Sequence, residues 1–325
     1  MPTVAVVIPA WKPDFLQQAL ESFRQQTSQD FHLYVGDDAS PYGLESIVAP
    51  FLANGNVTYH RFEQNLGGKD LVGQWERCIA FTRDEPWIWL FSDDDRCSPR
   101  CIQTLKHGLE AHPTTDLFHF GVQAIDERNQ PIAPLQETPL ASARDYLERR
   151  ILDDHRSYVV EYVFRRSAFL AQGGFQKFDL AWGSDDATWI ALATHQAPVL
   201  LAGAAVEWRA STVNISPSTN AAVASRKIAA RLAYYRWLRA RPELWTGRLA
   251  DPRHASRWFH EQVRHLAPAL GTNEIEAFCK EFRQCSGTPW TDSTIWRIKI
   301  HASRFKRLVR ARLAGAHHPQ NRNSP

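Results

Sequence analysis

Short β-branched or aromatic runs alternate with longer amphipathic stretches through the first 125 residues. Val4 to Ile8, His32 to Gly36, Val57 to Phe62, Trp87 to Phe91 and Leu117 to Phe120 have the length and composition of strands. The segments between them, Phe15 to Gln26, Leu44 to Leu52, Leu71 to Thr82 and Arg100 to Ala111, carry apolar residues at helical spacing. This alternation predicts an α/β fold of βα units around a mostly parallel central sheet. The strands run into polar clusters: Pro9-Ala10-Trp11, Asp37-Asp38-Ala39-Ser40, Asn65-Leu66-Gly67-Gly68 and Ser92-Asp93-Asp94-Asp95. Ligands of open α/β sheets bind beyond the carboxyl ends of the strands, so the four clusters are expected to converge on one crevice.

From Ala141 the pattern loosens into a helix to Leu152, an apolar strand at Tyr158 to Phe164 and a turn at Gly173-Gly174. Trp182-Gly183-Ser184-Asp185-Asp186 then leads into a helix through His195, and Ala204 to Trp208 reads as a strand. Beyond about Ser218 the chain is mainly helical and rich in Arg and Trp. The organisation expected is a catalytic domain over 1–217, a helical region over 218–315 and a disordered tail over 316–325.

At 325 residues and 44% apolar composition the chain has material for a sizeable core. Its net charge of +3 is unevenly spread: the last 35 residues hold eight Lys or Arg against one Asp, leaving −4 on the rest. That balance does not suggest a nucleic-acid binder. Five cysteines without a CxxC pair or zinc-like spacing point to a reduced, cytoplasmic setting. No leader pattern opens the chain, and no apolar stretch approaches the roughly eighteen residues of a membrane span.

Three adjacent carboxylates at the end of a buried strand are costly unless a cation neutralises them. A divalent Mg or Mn fits that need at Asp93, Asp94 and Asp95; the alternative is a solvated turn capping the helix after Pro99. Asp37 and Asp38 suit a ribose or nucleobase, or one of them an Asx turn before Pro41. Asn65 and Gly67 open a helix whose backbone N–H groups suit a diphosphate or close packing. Asp185 and Asp186 stand before a helix, one as a cap and one as a general base for a sugar hydroxyl. Arg209, followed by Ser211 and Asn214, suits a leaving diphosphate or a surface ion pair.

In order and spacing these elements resemble glycosyltransferase family 2, over about residues 3 to 215. The resemblance rests on Val6-Val7-Ile8-Pro9-Ala10-Trp11, the DDxS at Asp37 to Ser40, Asn65-Leu66-Gly67 and the DxD-like Ser92 to Asp95 with Pro99 after it. Gly173-Gly174-Phe175 and Asp185-Asp186 continue it. It implies a Rossmann-like GT-A domain that moves a sugar from a nucleotide-diphosphate donor with inversion. It places the nucleoside near Pro9, Ala10 and Asp37 or Asp38, the donor and metal on Asp93 to Asp95, foremost Asp94 and Asp95, and the general base on Asp185, with Asp186 in reserve. The SDDD run leaves the register of the DxD element open by one residue, and a basic residue usual after the Asn-x-Gly element is missing.

Ile295 to Leu313 carries Ile298, Ala302, Phe305, Leu308, Val309 and Leu313 at near-helical spacing, with Lys and Arg between them. Such a helix either lies on an anionic bilayer, suiting a lipid-linked acceptor, or packs its stripe on the catalytic domain with a solvated basic face. The acceptor expected is a polysaccharide, lipopolysaccharide or other glycoconjugate. The competing functions are a non-catalytic carbohydrate- or nucleotide-binding protein on the same fold and a nucleotidyltransferase, which would need a basic, Gly-rich loop after the first strand.

Overall fold

A computed structural model describes residues 3–53, 55–153, 155–211 and 220–316, without the side chains of 290, 292, 293 and 308–316. Asn214, the 217/218 boundary, residues 317–325 of the expected tail and the side chains of Leu308, Val309 and Leu313 lie outside that description. The chain divides into two compact units, Met1–Asn214 and Ile215–Pro325.

The first unit holds strands β1 (Val4–Ala10), β2 (Phe31–Asp37), β3 (Val57–Arg61), β4 (Trp87–Leu90), β5 (Arg96–Cys97), β6 (Leu117–Ile125), β7 (Tyr162–Arg165) and β8 (Val199–Arg209). Its helices are α1 (Leu16–Arg24), α2 (Leu44–Leu52), α3 (Leu71–Ala80), α4 (Cys101–Ala111), α5 (Ala143–Leu152), α6 (Arg166–Ala171) and α7 (Ser184–Leu192). One sheet runs in the order β3-β2-β1-β4-β7-β6-β8-β5. Neighbours pair in parallel except at β7 and β5, which are antiparallel to the strands beside them.

β1 and β2 are buried nearly throughout because helices cover both faces, which explains their unbroken apolar runs. The two-residue alternation sorts the faces. Val6, Ile8, Leu33 and Val35 pack with Leu16, Leu20, Phe23, Ile102 and Leu105 of α1 and α4. Gly36 takes the opposite face, where α3 comes so close that an added Cβ would meet Cys78 Sγ at 2.4 Å. The Cys78 side chain and the Phe62 ring close over that face, which explains a glycine inside a central strand.

Several boundaries differ from the sequence expectation. The apolar run at Tyr158 begins with a 3₁₀ turn, Val159–Glu161, before β7 starts at Tyr162. β8 starts at Val199 and crosses a register shift against β6 at Phe120/Gly121, with Gly203 at φ 78°, so Ala204 to Trp208 is only its second half. The helix expected through His195 ends at Leu192. β5 and α6 were not anticipated: two and six residues are too short to display a period.

The second unit is helical: α8 (Ala221–Arg239), α9 (Pro252–Leu266), α10 (Thr272–Ser286) and α11 (Trp290–Ala316). Its own core joins Ile228, Leu232, Tyr235, Phe259, Val263, Phe282 and Ile300, with the Phe259 and Phe282 rings stacked at 4.1 Å. Among the described residues no helix is long and apolar enough to cross a membrane.

Candidate active site

The parallel register brings the strand ends to one edge: Ala10 of β1 lies opposite Asp37 of β2, and Val7 opposite Leu90 of β4. Residues 11–12, 38 and 92–95 therefore leave the sheet together. Asp93 Oδ2 accepts the backbone N–H groups of Trp11 at 2.8 Å and Lys12 at 2.9 Å. Asp94 Oδ2 takes the Lys12 ammonium at 2.8 Å, while its Oδ1 accepts the Ser92 hydroxyl. Asp95 Oδ1 accepts the N–H of Arg209, the last residue of β8, at 2.7 Å.

All three aspartate residues are at most 6% exposed. Burial, aided by the charge of Asp94, pushes the Asp93 carboxyl up to about 6 and that of Asp95 well above the usual range. Burial works against the Lys12 charge too, but the three acids outweigh it and hold the ammonium above its ordinary value. Arg209 is fully buried. It donates from Nε to the Asp94 carbonyl at 2.7 Å, from one Nη to the Asp126 carbonyl at 2.9 Å and from the other to Gln18 Oε1 at 3.1 Å, with its guanidinium 4.1 Å from the Phe15 ring centre. It thereby ties β8, β4, β6 and α1 beneath the acidic triplet.

Asp37 and Asp38 are engaged within the chain. Asp37 accepts the Ser40 N–H at 2.7 Å, the Tyr59 hydroxyl and Arg61 at 2.8 Å, which is the Asx-type turn foreseen for one of the pair. Asp38 clamps the loop after β3 by accepting Asn65 Nδ2 at 2.9 Å, Leu66 N at 2.7 Å, Gly67 N at 2.8 Å and the Arg77 guanidinium. Asn65 and Gly67 thus spend these donors on Asp38. Ser40 Oγ donates to the Trp11 carbonyl at 2.7 Å and Asp38 N to the Ala10 carbonyl at 2.9 Å, so this cluster joins the segment after Pro9 and Ala10.

Asp185 and Asp186 form a separate group in the first turn of α7, behind Gly183, whose φ of 95° any side chain would strain. Asp186 is buried and accepts Arg150 of α5 through both oxygens, at 3.0 and 2.9 Å, together with the Tyr146 hydroxyl. Asp185, about 100° round the helix, is half-buried. α7 is anchored through Trp189, whose ring stacks 4.7 Å from Tyr162 of β7, the strand beside β4. A separate cavity of about 620 Å³ lies at the other end of the sheet, lined by Leu20, Phe23, Phe51 and Val57 among others. It holds none of the acidic groups.

Two features escaped the sequence reading. Lys12 does not stand out in the sequence, and its acidic partner 82 residues on gives it a role. Trp11 and Tyr42, both exposed, meet edge to face at 5.6 Å beside the strand ends.

A family model described as Glycosyl transferase family 2 matches residues 5–169, just over half the chain. The amylovoran biosynthesis glycosyltransferase AmsE of Erwinia amylovora is 27% identical over 167 residues, 51% of this chain and 59% of that protein. The succinoglycan biosynthesis protein ExoW of Rhizobium meliloti (strain 1021) is 28% identical over 156 residues, 43% of this chain and 47% of that protein. The matches span about half the length of these curated relatives. Among solved structures, S. aureus TarS 1–349 in complex with UDP-GlcNAc has a TM-score of 0.56 at 12% identity, covering 94% of this chain and 92% of that one. The mannosyltransferase PcManGT from Pyrobaculum calidifontis, in complex with GDP-Man and Mn2+, has 0.53 at 14%, covering 94% and 87%. At such identities the likeness is one of fold, the GT-A arrangement with a helical region after the sheet. With the family match running from β1 into α6 and taking in the acidic triplet, the chain belongs to glycosyl transferase family 2.

Proposed function

We propose that this chain transfers a sugar from a nucleotide-diphosphate donor to a hydroxyl of a polysaccharide, lipopolysaccharide or other glycoconjugate, with inversion at the anomeric carbon. The observation that carries the reading is the buried triplet Asp93-Asp94-Asp95 at the carboxyl end of β4, held by the backbone of residues 11–12 and by Arg209. The involvement of AmsE and ExoW in polysaccharide biosynthesis supports the acceptor class.

The residues fit a divalent cation. Three acids are buried side by side; the Lys12 ammonium pairs with Asp94, and Arg209 meets Asp95 through its backbone N–H and Asp94 through the carbonyl. Burial first and the Asp94 charge second push Asp93 and Asp95 up, which a cation would relieve. Among the described residues no three acidic, His or Cys side chains form a ready metal cage. Mg and Mn nevertheless bind commonly through one or two carboxylates, completing their shell with phosphate oxygens and water. Asp94 and Asp95 are the ligands assigned here, and the ion when bound supplies counter-charge to the donor diphosphate. Asp93 holds the Trp11-Lys12 segment instead.

Lys12 neutralises Asp94 and, as a flexible point charge, is suited to exchange that partner for a donor phosphate. Arg209 positions the triplet from beneath. Asp37 and Asp38 shape the nucleoside wall, with Pro9, Ala10 and the Asn65–Gly67 loop held in place through them. Asp185 is the general base: it takes the acceptor hydroxyl proton as that oxygen bonds to the anomeric carbon and the nucleoside diphosphate leaves with its electron pair. Asp186 keeps α7 in place through Arg150. A cytoplasmic setting suits the five free cysteines.

A single displacement inverts configuration. NMR of the product formed from an α-linked UDP-, GDP- or dTDP-sugar is expected to show a β-glycoside. An α product, or no turnover of any donor with Mn present, would overturn the reading.

A further inference from the structure

Helix α11 turns Arg297 and Arg304 inward with Trp296 and Ile300, and Ile295, Ile298 and Phe305 outward. On the inner side Ile300 is fully buried, and the Trp296 ring stacks on His260 of α9. Arg297 pairs with Glu276 of α10, His301 Nε2 lies 2.9 Å from the same carboxylate, and Arg304 donates to Thr272 Oγ1 at 2.8 Å. On the outer side Ile295 is 51% exposed, Ile298 65% and Phe305 69%. At about 100° per residue, Phe305, Ile298, Ala302, Ile295, Lys306 and Lys299 fall in that order within one arc of about 120°. The apolar residues occupy one side of the arc and the two lysines the other.

The inner side thus mixes apolar and basic residues, and a second apolar row is left on the exposed side. Trp296, Arg297, Ile300 and Arg304 are engaged on α9 and α10, and the outer arc is left exposed. Large exposed apolar side chains grouped on one face mark a contact surface. The charge says which kind: the two charged residues of the arc, Lys299 and Lys306, are both cationic and border the apolar row. At a bilayer surface Phe and Ile sink below the headgroups while lysine stems lie along the apolar boundary and their ammonium ends reach anionic phosphates. We propose that the outward face of α11 binds the surface of an anionic lipid bilayer. The proposal does not rest on the transferase reading and would survive its failure.

Co-sedimentation of the full chain with vesicles tests it, using phosphatidylcholine alone or with about a third phosphatidylglycerol. The chain is expected to bind the anionic vesicles and to release as salt rises. Ile295→Ser, Ile298→Ser and Phe305→Ser combined are expected to weaken partitioning by about tenfold or more. Lys299→Gln with Lys306→Gln should give a smaller loss and a flatter salt dependence. These positions are exposed, so unchanged thermal melting verifies that the variants fold. Equal vesicle binding by the triple-serine variant, or no binding by wild type, overturns the proposal. So does RNA binding as tight as vesicle binding and unaffected by the serines, which would reduce the surface to a polyanion site. A wild-type dimer in sedimentation velocity that the serines dissolve, with no vesicle binding, would assign the face to a second copy and equally refute it.

Discussion

Asp185→Asn is expected to cut turnover by about 10²–10⁴-fold while donor affinity stays within about twofold of wild type. The amide is isosteric and can keep the place of the side chain in the first turn of α7, but it cannot take a proton from the acceptor hydroxyl. A base acting in the transition state alone should lower kcat with little change in donor KM. The neighbouring Asp186 gives the contrast. Its carboxylate is committed to Arg150 and Tyr146, so Asp186→Asn should act mainly by loosening α7 from α5 and lower thermal stability. Equal turnover in Asp185→Asn and wild type would remove Asp185 from the mechanism.

Arg209→Met is expected to destabilise the fold by about 3–5 kcal/mol, a large part of the roughly 5–15 kcal/mol that holds a domain folded. The methionine keeps the apolar stem but leaves the Asp94 and Asp126 carbonyls and the Gln18 side chain without their guanidinium donors, and deprives a buried acidic triplet of one cation. Urea unfolding of wild type and variant measures the difference. Unchanged stability with a raised donor KM would instead make Arg209 a direct ligand of the donor.

The parts of this molecule that were legible in the sequence are those that local pattern encodes. β1 and β2 read as strands because helices on both sides demand continuous apolar residues, and the acidic run after β4 stood out because three charges at a buried strand end are costly. Gly183 and the acidic pair announced the start of α7. What long-range pairing decides was not legible. Nothing near Lys12 points to Asp94, nothing near Asp186 to Arg150, and the neighbours Asp37 and Asp38 have different partners, one turning on Ser40 and the other clamping residues 65–67. β8 was shortened because Gly203 interrupts its pattern at a register shift that exists only against β6. The outward face of α11 depends likewise on Glu276 and Thr272, which α10 supplies to draw Arg297 and Arg304 inward.

Calorimetric titration of UDP-, GDP- and dTDP-sugars with and without Mn, on wild type and Asp94→Asn, is the measurement closest to the chemistry of the triplet. One donor is expected to bind wild type tightly only with the metal, and Asp94→Asn should lose that metal-dependent gain while keeping its fold. Donor binding that is indifferent to Mn, or unchanged in Asp94→Asn, would contradict a metal–diphosphate site at the end of β4.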